Sequence, residues 1–540
     1  MHIVVDRRPA GVALIDEAGG ETLVPEAGLA AAVAEREAEH PRWVWTDTAQ
    51  WYPPLLRAGV RVERCHDLRL VDAILAGIDG RAPRRDWGRA PVPARSDTLF
   101  DLDGVVDARP AIAAPLAWRQ QRDAIAAHAD PARLALLAAA ESAGALTAAE
   151  MHHAGLPWSA AAHDALLTEA LGPRPVPGRR PARLDALATE VERLLGVGPL
   201  PIDSPSELVK ALRRAGLEVA TTRSAELKRL DHPAIAPLLQ YKTLSRLHTA
   251  NGWNWLDEWV RDGRFRPTFV PGGVVTGRWA SDGGGALQLP RQVRAAVHAD
   301  PGWALVVADA AQLEPRILAA LSGDAAMARA GAGVDLYAGI VESGAVSSRE
   351  HAKVGMLGAM YGGTTGVSAQ VLPRLARSFP QAIGYVEAAA RAGERGERVA
   401  TRLGRTSPAP SAAWRERQHE AGAEGASEAE GRAARGAARS WGRFTRNFVV
   451  QGTAAEWALA WMAGVRRRLW SPDAGPLTTQ PHLVFFVHDE LIVHSPLDRV
   501  DEVERALREA AVDAGRIVFG ASPVSFPVTV AAVQRYSDAK

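Results

Sequence analysis

The stretch VFFVHDELIVHS, residues 484–495, decides how the chain is read. Two β-branched and aromatic runs, VFFV and LIV, stand three residues apart, and such runs so closely joined favour a strand hairpin. Its tip carries His488, Asp489 and Glu490. Acidic turn residues are ordinarily solvated and idle, so the tip alone decides nothing. A half-buried hairpin that ends in two carboxylates and an imidazole nevertheless calls for a partner.

That partner lies in GWALVVADAAQLEPRILAALSGD, residues 302–324. ALVVA reads as a strand ending at Asp309, and it leads into a helix whose first turn holds Gln312, Glu314 and Pro315. Proline is tolerated there because its missing N–H would be unpaired anyway. One strand-end aspartate can serve merely as a helix cap. Two carboxylate sites on separate strand ends, Asp309 and Asp489, are what a pair of hard divalent cations requires. Between them, SREHAKVGMLGAMYGG, residues 348–363, sets Arg349, Lys353 and Tyr361 near one helix face. An ordinary solvated helix with a glycine stop fits that pattern too. Like charges four apart destabilise an isolated helix, however, so an anion that draws them together, such as a triphosphate, is the ligand to seek.

The rest of the chain bounds the answer. Its 540 residues suit two to four domains, and 47% hydrophobic with 23% charged residues is ordinary globular composition. No apolar run reads as long enough to span a bilayer, and MHIVVDRRPAGVALID, residues 1–16, reads as a hairpin rather than a signal peptide. A cytoplasmic protein is expected. Cys65 is the only cysteine, which excludes an intrachain disulfide and a cysteine-based zinc site; the thiol is expected to be inert. A formal net charge of +1 gives no whole-molecule field, so any nucleic acid must be held by a local cleft. Neither a GxxxxGK[ST] loop nor a GxGxxG between strand and helix occurs.

Residues 1 to about 130 alternate strand-like runs (HIVVD, GVALID, WVWTD) with helical segments and leave through Pro and Arg around 80–96, as an α/β domain does. A strong helix follows from Pro131, then a Pro/Arg linker at 172–183, helices to about 262, strand-like and glycine-rich segments to 310, and helices to about 400. HEAGAEGASEAEGRAARGAARS, residues 419–440, reads as an extended helix or a mobile loop.

With these residues in view the chain resembles the family A DNA polymerases (the DNA polymerase I family). DAAQLEPR, residues 309–316, is similar to their first palm motif, whose usual form is DYSQIELR. The R-x3-K-x7-YG of residues 349–362 resembles their fingers motif, and VHDE matches their third motif. SPSELVKALRRAGLEV and LLQYKTLSRL resemble the thumb, TGRWAS and ALQLPRQVRAAV the primer-template segment, and NFVVQGTAAEWA the NxPxQGTAAD stretch. Several spaced motifs in order are far more specific than one.

The resemblance covers roughly residues 136–540. It implies an α/β and α+β multidomain fold: an RNase H-like, exonuclease-like N-terminal domain (1–130), then a right-hand polymerase with thumb (about 185–262), palm (about 263–322 and 440–540) and fingers (about 323–439). The implied function is template-directed DNA synthesis by two-metal phosphoryl transfer. Its partners are primer-template DNA and deoxynucleoside triphosphates, with no membrane, in a monomer working in a bacterial cytoplasm at the nucleoid. Asp309 and Asp489, with the carbonyl of Ala310, would hold two Mg²⁺ ions, for which Mn²⁺ could substitute, and Glu490 would support them. Arg349 and Lys353 would face the triphosphate, Lys353 also as general acid. Tyr361 would stack beside the templating base, Glu314 would gate the ribose 2′ hydroxyl, and Gln312 and Leu357 would line the nucleotide site. Arg278, Gln451, Asn447, His488 and Arg294 would contact DNA.

Departures from the pattern matter. Ala310 and Leu357 stand where the family has aromatics, and Met356 where it often has Asn, which implies altered nucleotide discrimination or reduced efficiency rather than lost chemistry. The N-terminal domain resembles the family's proofreading module chiefly in CHDLRLVDAILAG, residues 65–77. Its first hairpin offers Asp6, Asp16 and Glu17 without an Asp-x-Glu, the position where the next aspartate is expected falls near Trp51 or Tyr52, and RQQRDAIAAH, residues 119–128, lacks a Tyr-x3-Asp. Asp47, Asp67 and Asp72 remain, the last two expected as solvated helix positions. The domain is therefore expected to be inactive. The rival readings are a catalytically silent DNA-binding scaffold and a polymerase with relaxed sugar or template choice.

Overall fold

In the computed structural model, residues 1–87, 112–363, 365–471 and 475–539 are described. The Pro/Arg-rich exit expected around 80–96 lies partly outside them. The chain forms two compact units. The first joins Met1–Ala154, Thr268–Ser281 and Gly302–Ala532; the second joins Gly155–Pro267, Asp282–Pro301 and Val533–Lys540. Residues 1–130, expected to stand as a domain of their own, thus belong to one unit with the segments that carry Asp309 and Asp489.

The N-terminal sheet of the first unit has strand order Glu21–Val24, Gly11–Ile15, His2–Arg8, Arg42–Trp45, Arg64–Asp67. The first three are antiparallel and the last two run parallel to His2–Arg8. Parallel neighbours need crossovers, which the helices Leu29–Glu37 and Thr48–Arg57 supply. Alternate apolar residues such as Ile3, Val5, Trp43 and Trp45 fill one core with Tyr52. Asp67 is fully buried and Asp72 is 4% exposed, which corrects the expectation that both are solvated. Asp67 ends a strand and caps Leu68–Asp79 by accepting the Leu70 N–H at 2.9 Å, and it also accepts the Thr48 N–H at 2.7 Å. Asp72 pairs with Arg81 at 2.7 Å. Cys65 is buried, and burial pushes its thiol up to about 12, so it is inert as expected.

Pro131–Ala154 has the length and mean hydropathy (1.3) of a membrane span, against the expectation that no such run exists, but 72% of the relevant window is buried inside the protein. It is a core helix: residues on several of its faces, from Leu134 to Met151, are buried.

The second sheet has strand order His482–Val487, Glu490–Pro496, Trp303–Ala310, Val528–Val533. The expected hairpin forms, with Val487 opposite Glu490, but it is buried on both faces rather than half-buried. The apolar residues of HLVFFV and ELIVHSP therefore do not alternate with polar ones, as in sheets covered on both sides. Helices Leu313–Ser322, Leu336–Glu342, Arg349–Tyr361 and Pro380–Glu394 follow the Trp303–Ala310 strand. Residues 419–440 belong to two helices, Ala412–Gly422 and the 41-residue Glu428–Arg468, joined by a short turn at 423–427, the second helix started by a Ser427/Glu430 capping box.

The second unit is mainly helical, with Ala160–Leu171, Ala182–Leu195, Pro205–Arg214 and Ile235–Asn251, and it contains an aromatic cluster of Trp158, His163, Trp255 and Phe265.

Candidate active site

Asp309 sits half-buried at the end of Trp303–Ala310, directly opposite Glu490 in the antiparallel register. One residue on, the Ala310 N–H donates to the Asp489 carbonyl at 2.9 Å. The strand end and the hairpin tip are thereby locked side by side. Glu490 is buried, Asp489 half-buried and His488 exposed. His488 adopts φ 57° at the first turn position. Turn residues there are usually Gly, Asn or Asp, and a histidine in the left-handed region is held there at some conformational cost.

The helix after Asp309 begins at Leu313 with Gln312 as its cap residue at φ 47°. Gln312 Oε1 accepts the Leu336 N–H at 3.2 Å, so its side chain ties down the start of Leu336–Glu342. Arg316, the last residue of DAAQLEPR, is fully buried and donates to the carbonyls of Ala311, Gly331, Gly333 and Val334 at 2.6–2.9 Å. Burial pushes it down to about 10. It fixes the loop that delivers Asp335, whose carboxylate caps Leu336–Glu342 and accepts Arg349 Nε at 2.6 Å. Against the upward push of burial, the Arg349 hydrogen bond holds Asp335 below its ordinary range.

Glu314 collects two of the expected residues. Its carboxylate accepts the Tyr361 hydroxyl at 2.8 Å and pairs with the Arg278 guanidinium. Burial, then the Glu314 charge, pushes the Tyr361 phenol up. Gln451 accepts the Thr276 hydroxyl at 3.0 Å and reaches the same phenol. Lys353 is exposed one turn beyond Arg349, Leu357 is half-buried, and Met356 faces the core. Asn447 is half-buried one turn before Gln451 on Glu428–Arg468. Arg294 is not part of this cluster: it belongs to the second unit, with its guanidinium 4.5 Å from the Tyr536 ring centroid.

Tyr337 was missed. Burial pushes its phenol up to about 12, with the Glu314 charge next and smaller contributions from Asp335 and Asp489, while Arg349, 5.6 Å from the ring centroid, opposes them. Nothing in its local pattern distinguishes it from a core aromatic; only the fold brings it to these charges. Among the described residues no group of three or more His, Cys, Asp or Glu is arranged to hold a metal ion. The donors that are present, two carboxylates and a strand-end carbonyl, are all hard oxygens. That set fits Mg²⁺, which is commonly held by one or two carboxylates and completed by water and substrate phosphates rather than by an all-protein cage.

The profile of DNA polymerase family A matches residues 179–534. The chain is 29% identical over 340 residues to DNA polymerase I of Chloroflexus aurantiacus, covering 58% of this chain and 33% of that one. It is 27% identical over 393 residues to the thermostable DNA polymerase I of Thermus filiformis, covering 64% and 42%. It thus spans well under half the length of these relatives. The polymerase domain of Pol1 from M. smegmatis, solved in complex with DNA primer-template and dNTP, superposes with a TM-score of 0.69 over 99% of this chain and 95% of that one. At 21% identity that likeness is one of fold.

Proposed function

The chain belongs to DNA polymerase family A, and we propose that it adds deoxynucleotides to a primer 3′ end under the direction of a template strand. The observation that carries this reading is the register of Asp309 opposite Glu490, which sets a strand-end carboxylate beside the HDE turn. Asp309, Asp489 and the Ala310 carbonyl would hold two Mg²⁺ ions, or Mn²⁺ in their place. Such ions neutralise phosphoryl charge and make a hydroxyl a better nucleophile.

The remaining roles fall to the chain's own groups. Arg349 would release Asp335 and bind the triphosphate, since a guanidinium matches phosphate oxygens in bidentate fashion. Lys353, one turn on, would hand a proton to the departing pyrophosphate. Glu314 would bar the ribose 2′ hydroxyl, and Tyr361, released from Glu314, would stack beside the templating base. Leu357 would line the sugar side, and Gln312 would hold the nearby helix start in place. Arg278, Gln451 and Asn447 would read the minor-groove side of the primer end, whose acceptors are common to all base pairs. His488 would touch the primer terminus and Arg294 the duplex backbone.

Residues 185–262 would be thumb, 263–322 and 440–540 palm, and 323–439 fingers. The N-terminal domain would be an exonuclease-like remnant. Its sheet order supports that likeness, and Arg8, paired with Asp6 at 3.1 Å where a second carboxylate is wanted, supports inactivity. Ala310 and Leu357 favour one further reading, a loosened choice of sugar. Primer extension on DNA and RNA templates, with deoxy- and ribonucleoside triphosphates offered separately, is the test. Extension only with deoxynucleotides on DNA is expected; binding of DNA without extension under any condition would leave a silent scaffold.

A further inference from the structure

The long helix Glu428–Arg468 carries arginines at 432, 435, 439 and 443. At helical pitch these spacings of three, four and four put all four within an arc of about 80°, along about 16 Å of axis. All four are exposed, whereas Ala434 and Thr445, well round the helix from them, are buried, and Gly442 at the edge of the arc packs against Ala390 and Glu394. Gln418 of Ala412–Gly422 donates to the Ala434 carbonyl at 2.9 Å, so the neighbouring helix packs on the Ala434 side. Arg432 pairs with Glu428 at 3.2 Å; among the described residues Arg435, Arg439 and Arg443 have no ion pair. Like charges four residues apart weaken a helix, and between the arginines this stretch is alanine and glycine apart from Ser440 and Trp441. Nothing in folding asks for the arrangement. A polyanion with regularly spaced charges does, because arginines about 6 Å apart match successive phosphates on one strand.

The stripe also has a direction. Its inner end, Arg443, lies against the turn that ends the Arg349–Tyr361 helix: a Cβ at Gly362 would stand 2.7 Å from Arg443 Cγ. Arg446, one turn further, donates to the Ala359 carbonyl at 2.8 Å. The row therefore starts beside Tyr361 and runs away from it toward the Glu428 end. With a net charge of +1 the protein has no general field to hold DNA, so a local row of this kind carries weight.

We propose that Arg432, Arg435 and Arg439 form a track for the single-stranded template that has not yet been copied. This rests on the polymerase reading, in which Tyr361 lies beside the templating base. The strand that continues outward from that base is unpaired, and its phosphates are the charges the row would meet.

The test compares the parent with the triple variant Arg432→Ala, Arg435→Ala, Arg439→Ala, all exposed positions where alanine favours the helix. Binding is measured on primer-templates with a template overhang of one nucleotide or about a dozen, across a salt series. The parent should bind the long overhang more tightly, with a steeper salt dependence. The variant should lose that advantage, with its slope of log affinity against log salt on the long overhang reduced by about 2, while affinity for the short overhang and the rate of single-nucleotide addition stay put. The corresponding triple lysine variant should keep most of the advantage, because the contacts are with phosphate charge. Equal weakening on both overhangs, or an unchanged long-overhang advantage in the alanine variant, overturns the proposal. Absence of extension by the parent, with the overhang effect intact, would count against the polymerase reading and not against the track.

Discussion

Asp309 faces Glu490 across two antiparallel strands, and the hydrogen bond from Ala310 N–H to the Asp489 carbonyl fixes the turn beside it. These backbone contacts do not depend on the carboxylates, so alanine at either aspartate leaves the hairpin in place. Asp309→Ala and Asp489→Ala should each abolish primer extension while primer-template affinity stays within several-fold. Single-turnover extension beside an equilibrium binding measurement checks this, and a variant that extends like the parent would falsify the site.

Glu314 holds both Tyr361 and Arg278. Glu314→Ala removes bulk beside the expected 2′ position and frees both partners, so ribonucleotide incorporation should rise. The gain should be modest because Ala310 and Leu357 already lack the family's aromatic surfaces. The ratio of kcat/KM for ribo- and deoxynucleotides measures it, and an unchanged ratio would move the gate elsewhere.

The hairpin, the Asp309 strand and the Arg349–Tyr361 helix were legible because their apolar residues follow the periods of strand and helix and their polar residues fall at ends. Tyr337 and Arg316 were less so. A buried tyrosine and an arginine at a motif's end acquire their roles from groups far away in sequence, such as Asp489 and the 331–334 carbonyls. Asp67 was misjudged for a related reason: as a cap it satisfies backbone N–H groups from two elements, and only the sheet brings those together. Burial of the hairpin on both faces likewise depends on helices packed from elsewhere in the chain.

The wild-type chain should not excise a mismatched primer end. A two-metal exonuclease needs several converging carboxylates. Here Asp6 pairs with Arg8, and Asp47 and Asp67 serve as helix caps. Deleting residues 1–130 is a poor control, because Arg466 donates to Glu150 at 2.8 Å and to the Val62 and Glu63 carbonyls, so the deletion strips partners from a buried charge. The better test offers a labelled mismatched primer with Mg²⁺ or Mn²⁺ and no triphosphates to the Asp309→Ala chain, with and without Asp6→Ala. Excision that requires Asp6 would establish a working nuclease.

Glu456, within QGTAAEW of the long helix, is fully buried, and burial outweighs its hydrogen bonds from the Thr401 hydroxyl and the Leu403 N–H at 2.9 Å, pushing it up to about 7. An acid whose folded pKa is raised binds a proton more tightly in the native state than in the unfolded chain, where 4.5 is ordinary. Stability from this group is therefore at its fullest below about 4.5 and declines as pH rises to about 7, by about 3 kcal/mol in all. Glu150 has the opposite sign. Arg466 and Arg61 overcome the penalty of burial and hold it down to about 2, so its contribution is present above 4.5 and lost in acid. Glu456→Gln keeps the shape and an acceptor oxygen without the charge. Relative to the parent it should gain stability between pH 5 and pH 8 in urea titrations, whereas Glu150→Gln should be destabilising at both. A Glu456→Gln difference that is flat across that range would mean the Glu456 carboxylate is ionised in the native protein throughout.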